Sequence, residues 1–363
     1  MSGIEVKHKG GGVTLRMRAM WAHDLKVRLG RERYRVFVRL NGGEARSVEM
    51  CRGAWNADYC ADPFLFRHGG VNWLFYETLD KTGKGVLGCF REENGKWVQQ
   101  GIVLSEPWHL SYPQVFEDGG RVYMIPESCD SKRGHREGQV ALYEAVDFPL
   151  KWRKAATLIN EPLADSTLCR KDGWYYLSCF RVSPEAGAEL WHAPSLTGPW
   201  SKHPQSGNTN QSVRLRRNGG SFQVVDGRLC RIAQDCNGDY GKRLFKVPVL
   251  NLTPESYREG AWAPFIPGET EAGWPHGGMV HTYNRLDTPD GLLEVIDSKD
   301  YVPYPVWRRT LVWARIALHS AFRISIKRHR GFLVQFLGVQ FIRGTIKERP
   351  ALVQFRAGRR PDR

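Results

Sequence analysis

One short pattern recurs five times along the chain. Each copy joins two apolar or aromatic stretches across a turn, and such residues in paired short runs favour a β-hairpin. The copies start roughly 50 to 60 residues apart, and they cover residues 61–77, 111–127, 164–177, 220–232 and 278–295. A single hairpin cannot bury both of its faces, so copies at a regular period are expected to stack. The sequence therefore predicts five blades of a β-propeller.

The predicted fold class is all-β, a five-bladed β-propeller with a helical, basic C-terminal extension. We place the propeller at residues 51–302 and the extension at residues 303–363. Residues 1–50 form an N-terminal segment with a β-hairpin, because an alternating stretch at 33–40 ends at Asn41-Gly42-Gly43. This hairpin either belongs to a small separate module or completes the last blade and closes the ring.

The net charge is concentrated at the C-terminus. Residues 306–363 hold fourteen Lys or Arg and two acidic residues, so they carry +12 of the chain's +15. Trp307, Leu311 and Leu318 recur at helical spacing among these cations, which is typical of an amphipathic helix at a membrane surface. We expect residues 306–345 to bind an anionic membrane surface. The alternatives are a helix packed on the propeller and a nucleic-acid partner. We expect no nucleic acid, because no recognition motif accompanies the charge.

The compartment is inferred from what the sequence lacks. It has no secretory leader and no apolar run of spanning length, and its eight cysteines form no C-x-x-C pair or metal-finger spacing. They are expected to be reduced thiols. The expectation is a cytoplasmic protein, peripheral to the membrane through its basic extension, with no cofactor and no metal.

Three carboxylates are candidate catalytic residues. The inner strands of a propeller converge on its axis, so residues at the same end of each copy face one funnel. Asp62, Asp165 and His281 hold comparable places in copies one, three and five, and Glu127 ends a strand of copy two. Carboxylates that share a confined site have pKa values that are pushed apart, as acid–base chemistry requires. The alternative is that the aspartates cap turns or bind the backbone of a neighbouring blade, and that Glu127 forms a salt bridge at the rim.

Five further residues are candidate substrate-binding groups. Arg214 and Arg216 could grip a phosphate or carboxylate of a sugar donor, or form a solvated basic rim. Asp235 could serve the site or form a turn. His281 could hold an ion or water on the axis, or be a satisfied buried histidine. Trp108 could stack on a sugar, although most propeller tryptophans are core residues.

Several motifs, in order, resemble the N-terminal domain of the plant glucosamine inositolphosphorylceramide transferase family. That domain also occurs in stand-alone bacterial proteins, and the likeness covers roughly residues 50–302. No segment of this chain resembles the separate glycosyltransferase domain of the plant enzyme. The motifs are Ala61-Asp62-Pro63-Phe64-Leu65, Ser111-Tyr112-Pro113, Ile125-Pro126-Glu127-Ser128, Ala164-Asp165-Ser166, Leu196-Thr197-Gly198-Pro199-Trp200, Gln234-Asp235-Cys236 and Tyr240-Gly241.

More distantly, the pattern resembles the five-bladed glycoside hydrolase superfamily of arabinanases, xylosidases, invertases and levansucrases. That resemblance implies a base or nucleophile at Asp62 and an orienting carboxylate at Asp165. The superfamily also has a glutamic general acid on the following blade, but residues 216–220 of this chain contain no carboxylate. Glu127 or Asp235 would have to supply the proton, since glycoside hydrolysis needs an acid for the leaving oxygen.

These features lead to one functional hypothesis and one alternative. The hypothesis is a carbohydrate-active propeller that acts on glycosidic bonds, by transfer or hydrolysis, in surface polysaccharide or glycolipid assembly. Its partners would be a glycan, a glycolipid or a nucleotide sugar. The alternative is a non-catalytic glycan-binding or scaffold module that has lost its general acid.

Overall fold

The computed structural model describes residues 29–50, 58–128, 138–182, 185–225, 227–266, 274 and 279–310. Within these ranges the regular secondary structure is almost entirely β-strand. In chain order they are β1 Gly30–Leu40, β2 Arg46–Ser47, β3 Ala61–His68, β4 Val71–Leu79, β5 Gly85–Glu93, β6 Lys96–Leu104, β7 Ser111–Asp118, β8 Arg121–Glu127, β9 Val140–Asp147, β10 Lys151–Ile159, β11 Leu163–Lys171, β12 Trp174–Arg181, β13 Gly187–Ala193, β14 Ser201–Lys202, β15 Arg217–Asn218, β16 Gln223–Val225, β17 Arg228–Gln234, β18 Leu244–Leu252, β19 Tyr257–Glu259, β20 Ala263–Ile266, β21 Tyr283–Thr288 and β22 Gly291–Pro303.

The strands form five antiparallel sheets, one for each repeat of the sequence. Blade one is β3-β4-β5-β6, blade two is β7-β8-β9-β10 and blade three is β11-β12-β13-β14. Blade four is β15-β17-β18-β19, with β16 beside β17 and β20 beside β18, and blade five is β21-β22-β1-β2. The predicted all-β, five-bladed propeller is confirmed. The predicted helical extension lies largely outside the described residues, of which only 306–310 begin a helix.

The ring is closed by the two ends of the described chain. β1 pairs with β22 along its whole length, from Gly30 opposite Pro303 to Leu40 opposite Leu293. Residues 30–47 are thus the outer half of blade five, although they precede the predicted propeller boundary at residue 51. Of the two placements that the sequence left open, the structure has the ring-closing one.

Apolar side chains fill the spaces between neighbouring blades. Phe75 and Met124 are fully buried between blades one and two, and Leu142 and Leu177 are fully buried between blades two and three. Further buried clusters join blades three and four, four and five, and five and one. Each blade therefore depends on its neighbours for burial, as radial stacking requires. Among the described residues, no helix has the length and apolar character needed to cross a bilayer.

Removing the closing strands should destabilise the ring. Deletion of residues 1–47 takes away β1 and leaves β22 with an unpaired edge, which is a template for intermolecular pairing. It also uncovers Leu74 and Phe90, which pack with Val36 and Val38. We expect the truncated chain to aggregate on size-exclusion chromatography and to lose its cooperative thermal transition. Deletion of residues 1–28, which keeps β1, is the control. A monomeric 48–363 chain with the wild-type Tm would contradict this closure.

Candidate active site

Three residues near the start of inner strands have an uncommon backbone conformation. Asp62, Tyr112 and Asp165 have φ values of 49°, 51° and 49°. Each lies at an irregularity in the pairing of its strand, in blades one, two and three. Left-handed φ is unfavourable for residues with a Cβ, and for a bulky tyrosine it is a true outlier. Such strain gathers at functional sites, and bulges redirect side chains there. We therefore take this end of the propeller axis as the functional end.

Asp62 is buried and accepts hydrogen bonds from two other blades. Its Oδ1 accepts from the Thr282 hydroxyl at 2.7 Å, and its Oδ2 accepts from the Tyr112 N–H at 3.2 Å. Its own N–H donates to Asp297 Oδ2 at 3.0 Å. The carboxyl group thus links blades five, one and two. Burial raises the pKa of Asp62 to about 7, with His281 acting in the opposite direction.

His281 lies between two carboxylates. Its Nε2 is 3.4 Å from Asp62 Oδ1 and its Nδ1 is 2.5 Å from Asp297 Oδ2. Burial disfavours the imidazolium, but the charges of Asp297 and Asp62 outweigh that effect and raise the pKa of His281 to about 9. At neutral pH the ring is therefore a cation that compensates two buried carboxylates.

Among the described residues, Asp62, His281 and Asp297 form the cluster that could hold a metal ion. One ligand atom from each of Asp62, His281 and Asp297 lies within 4.8 Å of the others. A metal ion requires the unprotonated imidazole. The flanking carboxylates favour the protonated form, so a proton and a metal would compete for this cluster.

A second buried cluster is built around Asp165. Arg217 grips its carboxylate with two hydrogen bonds, Nε to Oδ2 at 2.6 Å and Nη2 to Oδ1 at 2.8 Å. The Asn218 side chain donates to the Asp165 carbonyl oxygen at 2.9 Å. The N–H of Asp165 donates to Glu127 Oε2 at 2.9 Å, which joins blade three to blade two. Bidentate pairs of this kind fix orientation as well as charge.

Glu127 is a second buried carboxyl group that is suited to carry a proton. It is 8% exposed, and burial together with the charge of Asp165 holds its pKa well above the usual range, against the effect of Arg217. The charge of Asp62 acts in the same direction, so the two clusters share one electrostatic field. Among the described residues, its Oε1 has no hydrogen-bond partner. Glu127 can therefore donate a proton from that oxygen.

Tyr112 crosses between the blades at this end of the axis. Its hydroxyl lies 2.9 Å from Thr167 Oγ1, donates to the Gly220 carbonyl at 3.0 Å and accepts from the Gly220 N–H at 2.8 Å. Gly220 has φ 133°, and a Cβ there would lie 1.9 Å from the carbonyl oxygen of Tyr283. Only glycine allows this close approach to blade five, and the Tyr112 hydroxyl links blades two, three and four at the same point.

Within the described ranges, the remaining candidate residues do not contact the carboxylates of these clusters. Asp235 accepts from the Asn237 N–H at 2.8 Å in a turn of its own. Arg216 lies over the Phe180 ring at 5.1 Å, and Arg214 is exposed. Trp108 is 38% exposed, so it is not a core residue. Among the contacts of the described residues, none joins these four to Asp62, Asp165 or Glu127.

Sequence reasoning missed several residues that complete the site. Arg217 adjoins the candidate Arg216 but alone reaches Asp165. Asp297 lies on the second strand of the fifth repeat, where nothing in the spacing marks it. Tyr112 did carry a signal, because Tyr112-Pro113 in copy two stands where Asp62-Pro63 stands in copy one.

The fold and the site define a five-bladed propeller with two buried carboxylate clusters at one end of its axis. The sequence profile of the family described as glucosamine inositolphosphorylceramide transferase 1, N-terminal, matches residues 46–274. The chain belongs to this family, as the motifs indicated.

It is 38% identical over 216 residues to glucosamine inositolphosphorylceramide transferase 1 of Oryza sativa subsp. japonica, covering 57% of this chain. It is 37% identical over 213 residues to the Arabidopsis thaliana protein, covering 56% of this chain. The chain spans only 28% and 27% of those relatives.

Solved structures with related topology include glycoside hydrolases. A family 117 glycoside hydrolase from Zobellia galactanivorans has a TM-score of 0.49 at 12% identity, covering 80% of this chain and 99% of that one. A thermostable family-43 glycoside hydrolase has a TM-score of 0.41 at 15% identity, covering 68% and 89%.

Proposed function

We propose that the propeller acts on a glycosidic bond, with Glu127 as general acid and Asp62 as base or nucleophile. The observation that carries this proposal is the contrast between the two carboxyl groups. Glu127 has its pKa held well above the usual range and keeps an oxygen without a partner among the described residues. Asp62 accepts hydrogen bonds on both oxygens and faces the His281 imidazolium, and these contacts oppose the burial that raises its pKa to about 7, so its charged form is accessible at neutral pH. Acid–base catalysis requires one protonated and one ionised group in the same site.

Each of these carboxyl groups would have its own role in cleaving the glycosidic bond. Glu127 would protonate the leaving glycosidic oxygen as the C–O bond breaks. Asp62 would attack the anomeric carbon or remove a proton from the incoming hydroxyl or water. Asp165, locked by Arg217, would position Glu127 through its backbone N–H and keep that carboxyl protonated through its charge. Each residue would then act at a different part of the same bond.

The substrate we propose is a phosphate-bearing glycolipid or a glycan, with a nucleotide sugar as the donor where the reaction is transfer. The name of the relatives points to a lipid-linked, phosphate-containing acceptor. Arg216, and Arg214 beyond it, precede β15 near the Asp165 cluster and could bind such a phosphate. Trp108 and Asp235 remain candidate sugar contacts. We place the protein at the cytoplasmic surface of an anionic membrane, held by residues 306–345.

A specific observation favours the second candidate function, non-catalytic glycan binding. Arg217 occupies the stretch where the resembled hydrolases carry their third carboxylate, and it holds Asp165 in a bidentate ion pair. A site closed in this way could retain sugar recognition without turnover. The two functions differ in whether Glu127 and Asp62 are needed for product formation or only for affinity.

Turnover on a panel of glycans, glycolipids in vesicles and nucleotide sugars decides between them. We expect Glu127→Gln and Asp62→Asn each to lower kcat by about two to four orders of magnitude while ligand binding, measured by calorimetry, is retained. Glu117→Gln, an exposed change on the same blade, is the control and should act as wild type. Binding without turnover in the wild type would reject catalysis and leave the recognition module.

A further inference from the structure

A group of cations without carboxylate partners lies at the functional end of blade four. Arg214, Lys242 and Arg243 are exposed, and Arg216 is half-buried against Phe180. None of the four forms an ion pair with any carboxylate of the described residues. The two loops that carry them are joined, since the Cys236 N–H donates to the Val213 carbonyl at 3.3 Å. We call Arg214, Arg216, Lys242 and Arg243 the blade-four patch.

Three exposed cations at the opposite end of the propeller are paired with carboxylates. Arg121 and Arg153 both bind Glu144 at 3.1 Å, although their side chains are 66% and 67% exposed. Lys151, 73% exposed, lies 3.5 Å from Asp147. Lys96 and Arg228 at that end are also exposed and form no ion pair among the described residues, but they lie on separate blades, whereas the blade-four patch groups four such cations on two joined loops. Unpaired cations on one face are the electrostatic footprint of an anionic partner.

The chain leaves the propeller next to this patch. β22 runs past Asp297 toward the functional end, where Lys299 Nζ donates to the Tyr240 carbonyl at 2.6 Å and Tyr301 donates to Asp239 at 3.1 Å. Asp239 and Tyr240 belong to the same loop as Lys242. Residues 306–310 then begin a helix in which Val306 is 69% and Trp307 is 65% exposed. These exposed apolar groups follow within a few residues of the part of β22 that contacts this loop.

We propose that the blade-four patch, with Val213, Val306 and Trp307, is a docking face for an anionic lipid surface. Cations attract lipid phosphates, and aliphatic and indole groups enter the headgroup layer. Val213 is 38% exposed between the cations, a mixture that suits a bilayer better than a nucleic-acid backbone. Docking on this face turns the Asp62 and Glu127 clusters toward the headgroups. A lipid-linked substrate would then reach the axis without leaving the membrane. This orientation rests on the proposed function, but the docking itself does not.

The test is partition of the full chain onto vesicles of phosphatidylcholine with or without phosphatidylserine. Replacing Arg214, Lys242 and Arg243 by Gln should weaken partition onto the anionic vesicles about a hundredfold at low salt and change nothing on neutral ones. The matched control replaces Arg121, Lys151 and Arg153 by Gln, which removes the same charge from the opposite end. That control should partition as wild type.

Three outcomes would overturn the docking face. One is wild-type partition by the Arg214/Lys242/Arg243 variant, and another is an equal loss in the control triple. The third is a variant that loses binding to a short RNA duplex but keeps its vesicle binding, which would make the patch a nucleic-acid site. Asp62→Asn should partition as wild type, so loss of turnover and loss of docking are separable.

Discussion

Replacing Arg217 with methionine is expected to lower the free energy of unfolding by about 3–5 kcal/mol. The change removes both hydrogen bonds to Asp165 and leaves a carboxylate that is only 2% exposed without its counter-charge. Breaking a buried pair from one side costs more than the pair contributes, because the stranded charge loses hydration without compensation. Denaturant unfolding at neutral pH measures the loss, with an unchanged m-value showing that the native state is intact.

Two further variants separate this charge effect from simple loss of packing. Arg216→Met, at the adjacent position over Phe180 and without an ion pair among the described residues, should change stability by no more than about 0.5 kcal/mol. Combining Arg217→Met with Asp165→Asn removes the stranded charge and should restore part of the stability. If the Arg217 variant lost no more than the Arg216 variant, the ion pair would not be a determinant of the fold.

Stability should fall as pH rises from about 6.5 to about 9, because His281 holds its proton more tightly in the native state. Its pKa is raised from 6.5 to about 9, so its stabilisation is complete below the unfolded pKa and is lost as pH rises through the folded pKa. A shift of this size corresponds to roughly 3 kcal/mol across that window. The raised pKa of Asp62, about 7, adds a decrease in the same direction at lower pH.

The His281→Gln variant isolates the contribution of this imidazole. Its unfolding free energy should be well below that of the wild type near pH 6, and the difference should shrink toward pH 9 as the wild type loses its imidazolium. His68→Gln, with a side chain 41% exposed at the far end of blade one, is the control and should change the unfolding free energy by no more than about 0.5 kcal/mol. A pH-independent gap between the wild type and His281→Gln would mean that the ring is neutral between its two carboxylates.

In both clusters a cation compensates buried carboxylates, and this is why the effects predicted for Arg217→Met and His281→Gln are large. Asp62 and Asp297 share the His281 cation, and Asp165 is held by Arg217. Among the described residues Glu127 has no cation bonded to it, and burial together with the charge of Asp165 raises its pKa well above the usual range. A substrate hydroxyl or glycosidic oxygen would therefore meet one proton donor among carboxylates whose charges are already compensated.

The sequence by itself determined the number of blades and predicted which positions of the repeats meet at one end of the axis. Hairpin patterns at a regular period specify one blade each, and turns such as Gly69-Gly70, both at positive φ, are local features that a sequence displays directly. Equal positions in equal repeats meet at the axis of a propeller. Asp62, Asp165 and Glu127 could therefore be named without coordinates, although their roles remain proposals.

The tertiary structure decided how those carboxylates are partnered and how the ring closes. Arg217 and Arg216 are neighbours in sequence, but strand pleating directs only Arg217 to Asp165. Asp297 reaches His281 across a hairpin, and β1 reaches β22 from more than 250 residues away in the chain. Periodicity records which face of a strand is buried, and it carries no information about which distant group a buried charge will meet. Long-range pairing supplies that information, because burial makes each charge depend on a partner that only the closed ring brings near.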